Sequence, residues 1–301
     1  MYDIIIIGGG PAGLTAVVYA RRAGKSALVL EKASFGGQIT YSPKIENFPS
    51  AVSISGTELA DKMMEQALAQ GADIELEEAV SVEKADGIFK VTTDFSEYES
   101  KAIVIATGAK HRLLGVEGEE SLVGKGISFC AVCDGAFYAG KEVMVIGGGN
   151  SALVEATLLA ETCKKVTVVQ NLPYLTGEKT TADALLARDN VEAIYSTVVK
   201  EFKGEDELEA VVLKAEDGTE TTLNPDGVFI AIGLAPENTA FKNLAELNEQ
   251  GYIKANEDCL TKTEGVFVAG DCRTKSVRQI ATATADGAVA ALKAVEYIDA
   301  R

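Results

Sequence analysis

The sequence predicts an α/β chain of two Rossmann-like, three-layer nucleotide-binding domains, the second inserted into the first. Three observations predict it. A strand from Asp3 to Ile7 runs into Gly8-Gly9-Gly10-Pro11-Ala12-Gly13 and then an alanine-rich helical stretch to about Ala23. A second strand, Glu142 to Ile146, runs into Gly147-Gly148-Gly149-Asn150-Ser151-Ala152 and a helix to about Thr162. Near the C-terminus, Gly265 to Asp271 reads as a strand ending in Gly-Asp.

Each glycine turn leads on to a second strand, Ser26 to Leu30 and Lys165 to Val169, and the spacing matches. Gly13 to Glu31 is 18 positions, and Ala152 to Gln170 is 18 positions. In such a β-α-β unit the glycines admit a pyrophosphate to the helix N-terminus, and a residue ending the second strand meets the ribose. A lone glycine-rich turn is a weak signal, because packing alone also selects glycine. The strand before and the helix after supply the required context. Gly8, Gly10, Pro11, Ala12 and Gly13 are therefore candidate dinucleotide contacts, with the Glu31 carboxylate placed to accept hydrogen bonds from a ribose. Gly147, Gly149, Asn150, Ser151, Ala152 and Gln170 form the corresponding set for a second nucleotide.

The C-terminal strand ends at Gly270-Asp271, followed by Arg278-Gln279-Ile280 and an alanine-rich helix from Ala281. Taken alone, Asp271 reads as a capping residue. Beside the first glycine turn it reads as the far wall of one FAD site. Residues 1–113 and 244–301 then make a discontinuous FAD domain, and 114–243 the inserted domain. No proline- or serine-rich linker marks the joins.

Length agrees: 301 residues suit about two domains of roughly 150 each. With 47% hydrophobic and 24% charged residues, the chain has the composition of a folded core rather than of disorder. The apolar run Ile4-Ile5-Ile6-Ile7 is too short for a signal sequence or a membrane span, so a soluble, cytoplasmic protein without a membrane partner is expected. A formal net charge of −17 repels phosphate backbones and argues against nucleic acid as a partner.

Five cysteines, with one close pair, are not a secreted disulfide framework. Cys130-Ala131-Val132-Cys133 can close and reopen a disulfide, and at a helix start a thiolate would be stabilised below the usual thiol pKa of ~8.5. Exchange needs that thiolate as attacker and a proton source for the leaving sulfur, for which Asp134 follows directly. Zinc fits poorly: a structural site wants four ligands, there is no second pair, and His111 is the only histidine. No metal is expected. His111, between Lys110 and Arg112, reads as a surface residue, and Cys163, Cys259 and Cys272 as buried bystanders, Cys272 adjoining Asp271.

These motifs, in this order, resemble the low-molecular-weight bacterial thioredoxin reductases over essentially the whole chain. The matches also include Gly36-Gly37-Gln38, Glu46-Asn47-Phe48-Pro49, Ala106-Thr107-Gly108, Asp226 to Gly233 and Arg278-Gln279. The resemblance implies flavin contacts at Gly36, Gly37, Gln38, Asn47, Val80, Ala106, Thr107, Gly108, Gly270, Asp271, Arg278, Gln279 and Ile280. It implies that Cys133 faces the flavin, Cys130 attacks the disulfide of thioredoxin or a thioredoxin-like protein, and Asp134 serves as acid. It also implies a homodimer. The large disulfide reductases fit worse, since they carry their cysteines near Gly36-Gly37 and add a C-terminal interface domain. Ferredoxin–NADP reductases of similar build lack the pair.

One departure concerns the electron donor. NADPH-dependent members of the family end the inserted domain's second strand in His-Arg-Arg-x-x-x-Arg, which grips the 2′-phosphate. Here the run is Gln170-Asn171-Leu172-Pro173-Tyr174-Leu175-Thr176. Losing two charged hydrogen bonds of roughly 1.5–3 kcal/mol each removes an NADPH preference of about 10²–10⁴-fold. The sequence therefore anticipates NADH, or NAD(P)H without strong NADPH preference. The alternatives are a ferredoxin-linked reductase independent of pyridine nucleotide, docking on a basic patch of Arg273, Lys275 and Arg278, and, from other classes, a flavin-dependent dithiol oxidase or a non-enzymatic flavoprotein redox sensor.

Overall fold

The structure is a computed structural model that describes every residue from Met1 to Arg301 except Pro43. The chain divides into two compact units, residues 1–110 with 235–301, and residues 111–234. Both joins precede the boundaries anticipated after 113 and 243, for reasons of packing. His111 already belongs to the second unit, stacking on Phe129 with ring centroids 4.6 Å apart. Phe241, Leu244 and Ala245 already belong to the first, buried with Ile5, Ile7 and Val268.

In the first unit, five parallel strands lie in the order Asp73–Glu75, Ala27–Leu30, Tyr2–Ile7, Glu97–Ile105, Val266–Val268. An antiparallel hairpin, Ala79–Ala85 and Ile88–Thr93, continues the sheet from the N-terminal part of Glu97–Ile105. A parallel strand buried on both faces must be apolar throughout, which is why the opening strand reads as four consecutive isoleucines. Their side chains alternate between layers. Ile4 and Ile6 pack in the core that holds helices Pro11–Arg22 and Ile280–Asp299, while Ile5 and Ile7 join Phe89, Val91 and Phe241 on the opposite face. The two helices meet through small residues, Ala12 and Ala16 against Ala283, Ala290 and Ala294. A Cβ on Gly287 would collide with the carbonyl oxygen of Ala12, so this helix contact depends on glycine.

The second unit repeats the plan. Its parallel strands lie in the order Val191–Ile194, Lys165–Val169, Glu142–Ile146, Gly227–Ile230, Ile127–Ser128. Val143 and Val145 face helix Asn150–Leu159, and Met144 and Ile146 face the core shared with the antiparallel sheet Thr197–Lys203, Ala210–Ala215, Glu220–Leu223. Each glycine turn thus joins the C-terminal end of a central strand to a helix, where open α/β sheets bind ligands. No described helix is long and apolar enough to cross a membrane.

Candidate active site

The first glycine turn opens a cleft of about 680 Å³ in the first unit, within the usual range for a cofactor site. Gly8, Gly10, Pro11, Ala12, Glu31, Gly37 and Gln38 line it on one side, with Ala106, Thr107 and Gly108. Gly270, Asp271, Gln279 and Ile280 line it on the other. Gly8 has φ +112° and its missing Cβ leaves room for the Ala106 carbonyl. Gly13 lies beneath the cleft, where a Cβ would strike the Gly8 carbonyl oxygen. Gly10 differs from both. It caps helix Pro11–Arg22 with φ −77°, which any residue adopts, and an added Cβ would approach only the Gly36 oxygen, at 3.9 Å. The space in front of it serves a ligand rather than the fold. The Glu31 carboxylate accepts the Gly9 N–H at 2.7 Å and the Ala33 N–H at 2.9 Å, which fixes it at the mouth of the turn.

Opposite, Asp271 Oδ1 is sealed from solvent and has no hydrogen-bond partner. Burial raises its pKa against the pull of Lys275 and Arg278. A buried acceptor with nothing to accept is costly, and a ligand hydroxyl would satisfy it. The turn that aims Asp271 is pinned from behind by Asp286. Its Oδ2 accepts the Gly270 N–H at 3.0 Å and Arg273 Nε at 2.8 Å, and its Oδ1 accepts Arg273 Nη2 at 2.8 Å. Lys275 Nζ donates to the same carboxylate at 3.0 Å. Burial opposes the Asp286 charge, but Arg273 and Lys275 outweigh it and hold the carboxyl below its ordinary range.

The remaining residues for which a flavin contact was expected stand around this cleft. Gly36, at φ +102°, packs on Ala60 and does not line the cleft. Asn47 is exposed and donates to Gln279 Oε1 at 3.2 Å. Val80 is the extra residue of a bulge between Ala79 and Ser81 and is 53% exposed, next to Ala79, which lines the cleft. Arg278 stacks on Tyr252, 4.2 Å from the ring centroid, and donates to the Asp271 carbonyl at 3.4 Å. The basic patch anticipated from Arg273, Lys275 and Arg278 does not form. Arg273 is 1% exposed, and both it and Lys275 are committed to Asp286. Cys272 is buried among Ile105 and Val268 and does not line the cleft; burial pushes its thiol up to about 11.

In the second unit Cys130 and Cys133 are joined as a disulfide. The helix they were expected to start is a single turn, Ala131–Asp134, followed by the 3₁₀ turn Gly135–Tyr138. With so short a helix, the support for a thiolate is local: Cys130 Sγ accepts the Cys133 N–H at 3.2 Å. Asp134 Oδ2 accepts Ser128 Oγ at 2.6 Å, and that hydroxyl in turn accepts the Cys130 N–H at 3.1 Å. Ser128 therefore locks acid and cysteine together. Burial raises the Asp134 pKa against the Ser128 bond. His111 is half-buried rather than on the surface, and burial on Phe129 drops it to about 4.

At the second glycine turn Gly147 has φ +127° and faces the Ala231 carbonyl, matching Gly8. Gly149 matches Gly10: φ is −84°, and an added Cβ would meet only Thr176 Oγ1, at 3.8 Å. Asn150 Oδ1 accepts the Glu178 N–H at 2.6 Å, Ser151 is exposed and Ala152 is buried. Gln170 is 5% exposed and folded inward, its Nε2 donating to the Tyr174 carbonyl at 3.2 Å and its Oε1 accepting the Asn171 N–H at 3.1 Å.

Ser128, Asp286 and Glu155 were missed by sequence reasoning. Ser128 carries no local signal. Glu155 was legible as the lone carboxylate of helix Asn150–Leu159, and Asp286 as the one charge in the first half of helix Ile280–Asp299, since a charge on an apolar stretch is buried only when it has a task.

The pattern that defines the pyridine nucleotide-disulphide oxidoreductase family matches residues 2–287. The chain is 41% identical over 301 residues to a thioredoxin reductase of Listeria monocytogenes, covering 99% of this chain and 94% of that one. It is 43% identical over 298 residues to a 34.2 kDa protein in the rubredoxin operon of Clostridium pasteurianum, covering 98% and 97%. The crystal structure of thioredoxin reductase from Streptococcus pyogenes superposes with a TM-score of 0.96 at 39% identity, over 100% of this chain and 99% of that one.

Proposed function

The chain belongs to the pyridine nucleotide-disulphide oxidoreductase family and is a flavoenzyme of the thioredoxin reductase type, and on that premise we propose how its residues divide the work. The observation that carries the proposal is the Cys130–Cys133 disulfide with Asp134 tied to it through Ser128. FAD held in the first cleft would supply a store for the two electrons that opening this disulfide requires. The first cleft suits it: the Gly8–Gly13 turn receives the pyrophosphate, Glu31 the adenosine ribose, and the orphaned Asp271 oxygen a hydroxyl of the flavin chain.

Once the disulfide is open, Cys130 attacks a thioredoxin disulfide. One substrate sulfur bonds to Cys130 and the other leaves, taking the proton of Asp134. Cys133 then gives its proton back to Asp134 and attacks Cys130 Sγ, releasing the second substrate sulfur. The active unit is a homodimer, by likeness to the family.

The donor is a nicotinamide nucleotide without strong preference for NADPH. Gly149 supports this, because neither φ nor packing requires glycine there and a pyrophosphate does. The neutral run Gln170 to Thr176 supports the lack of preference. Lys179 pairs with Asp183 at 3.6 Å and Arg188 lies 3.9 Å from Glu161, so both nearby cations already face carboxylates. A ferredoxin-linked route lacks the basic patch it would dock on.

The cysteine roles are tested by Cys130→Ser and Cys133→Ser. Each should retain its flavin and lose thioredoxin turnover at least ~10³-fold, as expected when an exchanging thiol is removed. Only Cys133→Ser should also lose the thiolate-to-flavin charge-transfer absorbance. Near-normal turnover in either variant contradicts the exchange.

A further inference from the structure

Beside the cysteine turn lies a carboxyl that the exchange just described does not use. Glu155 projects from helix Asn150–Leu159, and its Oε2 is sealed from solvent without a hydrogen-bond partner. The rest of the carboxylate accepts the backbone N–H of Ala131, inside the cysteine turn. Asp134 is in the same condition: Ser128 takes Oδ2, and Oδ1 is sealed and unpartnered. Four side-chain atoms of the described residues are orphaned in this way, and two of them belong to this one pair of neighbouring acids.

No cation resolves the conflict. Among the described residues neither Glu155 nor Asp134 has an ion-pair partner. From the elements packed around Glu155, the titratable groups are Asp134, the two cysteines and, on the turn that follows, Tyr138. On helix Lys179–Leu186, Lys179 and Asp183 are exposed and face each other. Glu142 and Lys165, on the neighbouring strands, are half-buried and pair with Lys164 and Glu192. Two sealed carboxylates without a counter-charge are costly, and one proton relieves both the repulsion and one orphaned oxygen.

We propose that Glu155 is a positioning residue for disulfide exchange, coupled to Asp134 so that the pair retains one proton at neutral pH and keeps Asp134 able to act as the acid. Burial, reinforced by the Asp134 charge and opposed by the Ala131 N–H, pushes the Glu155 carboxyl up to about 7. Below that pH Glu155 is neutral and leaves Asp134 to its own proton affinity. Above it, the Glu155 charge raises the affinity of Asp134 for a proton and sustains the acid where it would otherwise be lost. The electrons and atoms of the exchange are unchanged; Glu155 alters only how often Asp134 carries the proton that the leaving sulfur takes.

The inference rests on the reading of Cys130 and Cys133 as the exchanging pair. It is tested on the holoprotein, reduced chemically under anaerobic conditions and mixed with excess oxidised thioredoxin, so that no nucleotide enters. Glu155→Gln keeps an oxygen for the Ala131 N–H but cannot ionise. The ratio of wild-type to variant exchange rate should stay near one below about pH 5.5 and rise to about tenfold above about pH 8, for a coupling of about tenfold in proton affinity. Taking the ratio cancels the titration of the cysteines. Glu155→Asp should restore part of the alkaline advantage, and it serves as the test if the amide variant does not retain flavin. A ratio that is the same at every pH, whether near one or uniformly large, overturns the proposal. Failure of the underlying reading looks different: Cys130→Ser would still exchange.

Discussion

The two glycine turns of this chain share one backbone design and differ in what closes them. Gly8 and Gly147 both take positive φ against a facing carbonyl, and Gly10 and Gly149 both leave open space at a helix N-terminus. At the end of the following strand, however, Glu31 turns its carboxylate onto the Gly9 N–H, while Gln170 spends both ends of its amide on its own loop. That loop is tied back over the second turn, with Gly148 O accepting the Thr176 and Gly177 N–H groups at 2.7 and 2.9 Å. The first turn offers a fixed negative charge for ribose hydroxyls, and the second offers no charge. On the proposed reading, the backbone admits a pyrophosphate at both turns, and the residues closing each turn tell one nucleotide from another.

The largest effect should come from the residues that hold the turns themselves. Gly8→Ala places a Cβ against the Ala106 carbonyl at a φ that alanine avoids, and should cost about 3 kcal/mol or more together with the flavin. Gly10→Ala and Gly149→Ala should leave the folded stability within about 1 kcal/mol, because their φ values suit alanine and nothing in the chain is close. Each should instead weaken its own ligand by about 10–100-fold, or roughly 1.4–2.8 kcal/mol: FAD for Gly10→Ala, and the nicotinamide nucleotide alone for Gly149→Ala. Thermal melts, flavin titration and nucleotide KM separate these outcomes. A Gly149→Ala variant with unchanged nucleotide kinetics would make the second turn a packing feature and break the parallel.

The paired turns were legible in the sequence because their signal is local: a strand, glycines and a helix at fixed spacing. The same holds for the pairing of Cys130 with Cys133. What was not legible depends on chain segments far apart. Asn238, 1% exposed, bonds Thr107 at 2.9 Å and the Cys272 carbonyl at 2.9 Å, and with Phe241 it draws residues from 235 onward into the first unit. The bulge that sets Val80 apart from Ala79 in its strand likewise has no local signal. Arg273 is held in the core by Asp286, thirteen residues on, a pairing that no local pattern announces.

A smaller effect sharpens the comparison at the second turn. Arginines at Asn171 and Thr176 should improve NADPH over NADH by about 10–100-fold, mainly through KM, since the 2′-phosphate is remote from the reacting ring. The main-chain bonds of Thr176 and Gly177 to Gly148 do not involve the replaced side chains, so the loop should keep its path. Steady-state kinetics with both nucleotides measure the change. An equal gain for NADH would show that the arginines contact the pyrophosphate rather than the 2′-phosphate.

The central claim, that the second turn still receives a nicotinamide nucleotide but has lost its grip on the 2′-phosphate, is tested most directly by anaerobic stopped-flow reduction of the bound flavin. NADH and NADPH should both bleach it, with apparent affinities within about tenfold of each other, as expected when no charged contact separates them. Reduction by neither nucleotide, or an NADPH preference above about 100-fold, would contradict the account.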